Sequence, residues 1–160
     1  MNTHTPSSAV EIIEQHWSEQ SSLTRSRGAN AKEVAECQAK HGVVLPDDFA
    51  AYIKRLNGLA TPDDPNSWEN VDAEGFEFYP LSSIYQAPQS SNYYVFCCWS
   101  LGLLPFAIYL SPVGRHGEIV SLRDELHVVA SSFSSFAKLY VKDSARLYKS
   151  SPRAACAPKA

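Results

Sequence analysis

An α+β fold is predicted from the order in which two periodicities occupy the chain. Apolar residues recur at helical spacing as far as Leu56 and at strand spacing between Phe76 and Ala130. Helical spacing then returns with Phe133, Phe136, Leu139 and Tyr140. Pro and Asp cluster between the first two zones, and Gly102, Gly114 and Gly117 fall where a meander needs turns. N-terminal helices, a central antiparallel sheet meander and a C-terminal helix packed on the sheet follow from that order.

The elements are justified one by one. Ser8, with Glu11 three residues later, reads as a capping box for a helix running to about Gln20, with Val10, Ile13 and Trp17 on one face. The polar stretch 21–29, with Gly28, reads as a connector. Asn30 and Glu33 repeat the capping logic for a second helix, with Val34, Cys37 and Ala35 inward and Gly42 closing it. A third helix opens at Pro46, which suits the first helical position because its missing N–H would lack a partner there. Asp47 and Asp48 in its first turn and Lys54 and Arg55 in its last favour the helix dipole, and Gly58 reads as the C′ residue. Phe49, Tyr52, Ile53 and Leu56 form its apolar stripe.

Beyond Gly58, regularity is poor until Phe76. A short strand is expected over 76–79, a turn or one-turn helix over 80–85, and a polar connector over 87–92. Strands are expected over 93–99, 106–110 and 118–122, with a brief one over 127–130. Ser131 or Ser132 then caps a last helix, buried through Phe133, Phe136, Leu139 and Tyr140, that fades near Tyr148.

At 160 residues, 44% hydrophobic and 19% charged, the chain reads as one globular domain over 1–148 with a disordered tail over 149–160. No apolar run approaches the ~20 residues a membrane span requires, and 1–8 carries no secretory pattern, so a cytoplasmic protein is expected. The cysteines fit neither a disulfide framework nor a zinc motif, and reduced thiols are expected. Adjacent Cys97 and Cys98 lie in a strand, where they point to opposite faces, so they read as core packing. The nearest histidines, His116 and His127, have no spacing that supports a cysteine nucleophile. Asp124, His127 and Ser131 hold triad residue types without a nucleophile elbow, and read as a turn acid, a surface histidine and a cap. No catalytic residue, metal or cofactor is expected.

The net charge of −3 is unevenly spread. No Lys or Arg occurs from Leu56 to Gly114, whereas eight basic residues face four acidic ones from Arg115 onward. Phosphate contact needs cations, so the middle of the chain is not expected to bind nucleic acid. Asp63, Asp64, Glu69, Asp72 and Glu74 surround Trp68. An aromatic anchor ringed by carboxylates suits a basic protein partner, the indole giving buried area and the charges giving steering. The plain alternative is a solvated loop with Trp68 folded back on the core. Tyr93, Tyr94 and Trp99 read as core or sheet-face residues that could extend the same surface.

Gly42-x-x-Leu45-Pro46, then Phe49, Tyr52 and Leu56-Asn57-Gly58, resembles the signature of the SUKH superfamily, which includes bacterial toxin-immunity proteins and yeast cell-wall-synthesis regulators. Gly117-Glu118-Ile119-Val120 followed by Val129-Ala130-Ser131-Ser132-Phe133 resembles the late strand and final helix start of that family. The resemblance covers residues 30–143. The extra N-terminal helix and Leu59-Ala60 after Asn57-Gly58 depart from it. The resemblance implies a non-enzymatic immunity protein that binds and neutralises a cognate toxin of nuclease or deaminase type. The alternative is a cytosolic regulatory interaction module of the yeast kind.

Overall fold

The computed structural model describes residues 8–20, 23, 26–59, 71–114, 117–123 and 125–149. Helices α1 (Ala9–Ser18), α2 (Ala31–His41) and α3 (Asp47–Arg55) precede strands β1 (Phe76–Phe78), β2 (Tyr85–Gln86), β3 (Tyr93–Trp99), β4 (Leu104–Tyr109), β5 (Ile119–Leu122) and β6 (Leu126–Ala130). Helix α4 (Phe133–Lys142) and the short α5 (Ala145–Tyr148) end the described chain. The expected α+β order is therefore the observed one. The tail beyond Lys149 lies outside the described residues.

Three helix starts follow from local chemistry. Ser8 accepts from the Glu11 amide at 3.1 Å, Asn30 from the Glu33 amide at 2.8 Å, and Ser132 from the Ser135 amide at 3.1 Å. Each hydroxyl or amide oxygen satisfies a donor that the first helical turn leaves open. At the far end of α2, Gly42 takes the left-handed conformation with φ of 65°. Helix α1 is buried through Ala9, Ile12, Ile13 and Trp17, and Val10 only packs at its edge. In α2 only Val34 is fully buried; Cys37 is half-buried and Ala35 faces solvent.

The start of α3 differs from expectation. Pro46 is extended (φ −57°, ψ 149°) and precedes the helix, so Asp47 takes the first helical position. No side chain caps α3 at Pro46, and Asp48 lies within the first turn. Its carboxylate accepts from the Phe49 amide at 2.8 Å and from both the amide and hydroxyl of Ser134 at 2.9 Å, joining the N-termini of α3 and α4. The C-terminus also shifts by one residue, because Asn57, not Gly58, follows the cap and takes the left-handed conformation with φ of 51°. The Asn57 side chain donates to the Arg27 carbonyl at 3.2 Å and accepts from the Leu81 amide at 2.7 Å. Gly58 follows with φ of 72°, and a Cβ there would lie 2.6 Å from the Tyr79 carbonyl oxygen. Asn-Gly is thus a crossing point where a left-handed turn, the α1–α2 connector and the segment after β1 meet.

The sheet is antiparallel and six-stranded, in the order β1-β3-β4-β5-β6, with β2 also paired to β3. Strand β2 was not expected. It pairs only Tyr85 with Val95 and Gln86 with Tyr94, too short a stretch for periodicity to reveal. A register shift between Val95 and Cys97 turns both Phe96 and Cys97 into the main core. Alternation then resumes, and Cys98 sits on the other face with Tyr79 and Glu77 nearby. The two thiols do point to opposite faces, and both are buried.

Helices α1, α3 and α4 cover one face. Trp17, Phe49, Tyr52, Phe76, Phe78, Phe96, Phe106, Phe133, Phe136 and Tyr140 are each at most 1% exposed and form a continuous aromatic core. The other face carries a smaller cluster of Ala87, Val95, Ala107, Val120 and Leu122, edged by Tyr79, Tyr93 and Leu126. Leu139, expected inward on α4, is only partly buried, and Ala137 takes that place. The last helix also breaks at Asp143 (φ −153°, ψ 54°) before α5 begins.

Candidate partner-binding surface

Four of the six residues predicted to contact a partner, Asp63, Asp64, Trp68 and Glu69, lie outside the described residues. The structure places the other two, Asp72 and Glu74, on the stem by which that segment rejoins the fold at β1. They have opposite fates.

Asp72 is 5% exposed and faces inward. One carboxylate oxygen accepts from the amides of Glu74 at 2.9 Å and Phe76 at 2.8 Å. The other accepts from the Tyr140 hydroxyl of α4. The Tyr140 oxygen in turn accepts from the Trp17 indole N–H of α1 at 2.8 Å. Burial, and then the adjacent Asp72 carboxylate, push the Tyr140 hydroxyl far above the ordinary tyrosine range. Asp72 is therefore a buried staple between the stem and two helices, and its side chain is not at the surface.

Glu74 is exposed. Its carbonyl accepts from the Trp99 indole N–H at 2.7 Å, and its carboxylate from the Tyr148 hydroxyl at 3.1 Å. Trp99 and Tyr148 stack with centroids 4.2 Å apart and planes 7° from parallel. Burial and the Glu74 contact raise the Tyr148 hydroxyl above its ordinary value. The Ala73 amide donates to the Gln20 side chain at 2.9 Å, just past α1. Stem residues 72–76 are thus pinned by side chains from the end of α1, from β3, from α4 and from α5.

The pinning residues Gln20, Trp99, Tyr140 and Tyr148 were not among the predicted site residues. They lie 25 to 74 positions from their stem partners, so no local spacing joins them. On the sheet's smaller face, Tyr93 donates to Glu118, and burial followed by that bond pushes its hydroxyl up to about 12. Burial also raises the Glu77 carboxyl. Tyr94 lies in the main core, whereas Trp99 is half-exposed at its margin.

The described residues show no arrangement resembling a catalytic centre. His127 is partly exposed and lies 4.0 Å from Glu125, and Ser132 rather than Ser131 caps α4. Asp124 and His116 lie outside the described residues. Burial holds Cys97 well above the usual thiol range and raises Cys98 as well, the opposite of what a nucleophile needs. Among the described residues no group of three or more His, Cys, Asp or Glu is placed to hold a metal ion, and no helix is long and apolar enough to cross a membrane.

No curated protein gave a match to this sequence. The SMI1/KNR4 family (SUKH-1) matches residues 28–138, which run from the connector before α2 through most of α4. The match takes in the Leu-Pro step, the Asn57-Gly58 crossing, the whole sheet and the Ser132 cap. Members of this superfamily generally act through protein interaction, in immunity or regulation, and are generally not enzymes. With a match over more than half its length, the chain belongs to the SMI1/KNR4 family (SUKH-1).

Proposed function

We propose that this protein is a non-enzymatic, cytoplasmic immunity protein that binds and neutralises a cognate bacterial polymorphic toxin of the nuclease or deaminase type. Its family membership carries the reading. The contact surface is the acidic segment with its aromatic anchor: Asp63, Asp64, Trp68, Glu69 and Glu74 touch the partner, and Asp72 anchors the stem from beneath. The partner is a protein domain with a basic substrate-binding face. Covering that face excludes the nucleic acid by occupancy, so no catalytic residue, cofactor or direct nucleic-acid contact is needed. The cation-free run from Leu56 to Gly114 supports the polarity of the contact.

The test is protection. Where the neighbouring reading frame encodes a toxin domain, that domain is expressed in a host with and without this chain, and growth is followed with the complex assayed in parallel. Rescue with a stoichiometric complex that weakens as salt rises is expected. Charge reversal of Asp64 and Glu69 together should weaken that complex while leaving the melting transition nearly unchanged. Unimpaired binding by the double variant would remove the acidic segment from the interface. Neither rescue nor complex would overturn the immunity reading in favour of a regulatory module.

A further inference from the structure

The hairpin joining β3 to β4 ends in an apolar tip. Leu101 is 65% exposed and Leu103 is 77% exposed, whereas the adjacent Leu104 is buried. Tight turns ordinarily use Gly, Asn, Asp or Ser, each of which tolerates the backbone a turn requires. Here Ser100, Leu101 and Gly102 are left-handed in succession, with φ of 57°, 56° and 83°. Glycine adopts that region freely, but a leucine there is unfavourable and persists only where its surroundings impose it.

The surroundings do impose it. The Ser100 amide donates to the Gly75 carbonyl at 2.9 Å, and the Leu103 amide closes the turn on the Ser100 carbonyl at 3.1 Å. Beneath the tip, the buried Cys98 thiol lies near the Tyr79 side chain and the Gly102 backbone. The tip also continues the acidic stem, because Trp99, which holds the Glu74 carbonyl, immediately precedes Ser100. Glu74 and Glu77 are the charges that stem and β1 bring to this end of the sheet, and neither β3 nor β4 carries a lysine or arginine. Arg123 reaches the same end, where it donates to the Tyr148 carbonyl at 2.7 Å.

We propose that Leu101 and Leu103 are the apolar anchor of the partner interface, seated in an apolar socket on a partner protein whose rim is rich in lysine or arginine. The inference rests on the protein-interaction reading above and locates the centre of the contact. Interfaces concentrate their energy in a few well-packed apolar or aromatic anchors surrounded by a polar rim. Exposed Glu74 is the acidic group that the stem brings to that rim. A tip already fixed in shape loses little freedom on docking.

The test uses the full chain, isotopically labelled, titrated with three synthetic peptides of equal length and followed by amide chemical shifts. One peptide alternates Leu and Lys, the second Ser and Lys, the third Leu and Glu. The Leu/Lys peptide is expected to bind, with shifts centred on 100–104 and 73–75. The double variant L101S/L103S should bind it at least about tenfold more weakly, with an unchanged melting transition. Equal binding of the Ser/Lys peptide would reduce the effect to charge, and equal binding of the Leu/Glu peptide would reduce it to unselective apolar adhesion. Either result overturns the proposal. So would shifts centred elsewhere, no binding at all, or self-association through the tip seen by sedimentation. No toxin is needed, so failure here leaves the immunity reading standing, and failure to protect cells leaves the peptide result standing.

Discussion

Two tyrosines in one aromatic core provide a matched test of how the acidic stem is held. Tyr140 and Tyr52 are each 1% exposed. The Tyr140 hydroxyl donates to Asp72 and accepts from Trp17. The Tyr52 hydroxyl has no partner in hydrogen-bond geometry, although the Gly58 amide offsets part of its burial. Tyr140→Phe removes one oxygen and leaves two buried groups short. The Trp17 N–H becomes unsatisfied, at about 1–3 kcal/mol, and the Asp72 carboxylate loses a charge-assisted bond of about 1.5–3 kcal/mol. A loss of about 3–5 kcal/mol is expected. With a urea m-value of about 2 kcal/mol/M, the midpoint should fall by about 2 M. Tyr52→Phe removes an oxygen that makes no well-formed hydrogen bond, and should change stability by less than about 1 kcal/mol or raise it. Urea unfolding of both variants, with hydrogen exchange at the Phe76 amide, is the assay. Equal losses in the two variants, or a loss under about 1 kcal/mol for Tyr140→Phe, would refute the staple.

Phe136→Ala should cost about 3–5 kcal/mol, because the ring is fully buried against Phe96, Phe106 and Phe133; a change under about 1 kcal/mol in chemical denaturation would contradict that packing. Gly58→Ala should cost more than Gly42→Ala. Both positions have positive φ, but only Gly58 faces a backbone oxygen 2.6 Å from an added Cβ, so equal midpoint shifts would count against the crossing. Stability should fall as pH rises above 9. Unfolded Cys97 loses its proton near its ordinary value of 9.0, while burial holds the folded thiol protonated well above it. The folded state therefore binds more protons, and the contribution, complete below pH 9, is lost at about 1.4 kcal/mol per pH unit. Cys97→Ala should flatten that slope in denaturation curves between pH 8 and 10, and an unchanged slope would show that other groups set it.

What the sequence revealed and what it hid divide by the range of the interaction. Ser8, Asn30 and Ser132 are legible because each bonds an amide three residues away. Strand β3 is legible because seven consecutive residues carry the pattern. The break at Asp143 and the placement of Pro46 outside α3 are boundary matters that composition does not resolve. Strand β2 exists through two pairs with β3, and Asp48 ties α3 to α4 by accepting from Ser134, 86 positions away. Asp72 and Glu74 look alike in sequence, as acids two residues apart beside Trp68. They part only because Tyr140 and Trp17 wait inside for one, while Trp99 and Tyr148 hold the other from the surface.

That difference bears on how the family's fold can serve recognition. A binding segment that is ordered only on contact lowers affinity by the entropy of ordering it, up to about 1.5 kcal/mol for each side chain immobilised. Here the stem at 72–76 is fixed in advance by groups from four separate elements, and the tip at 100–103 is fixed to the stem through Gly75 and Ser100. Ordering of those residues is complete once the domain has folded. Asp72 faces inward and Glu74 outward, so the stem is tied to the helices through one acid and meets solvent through the other.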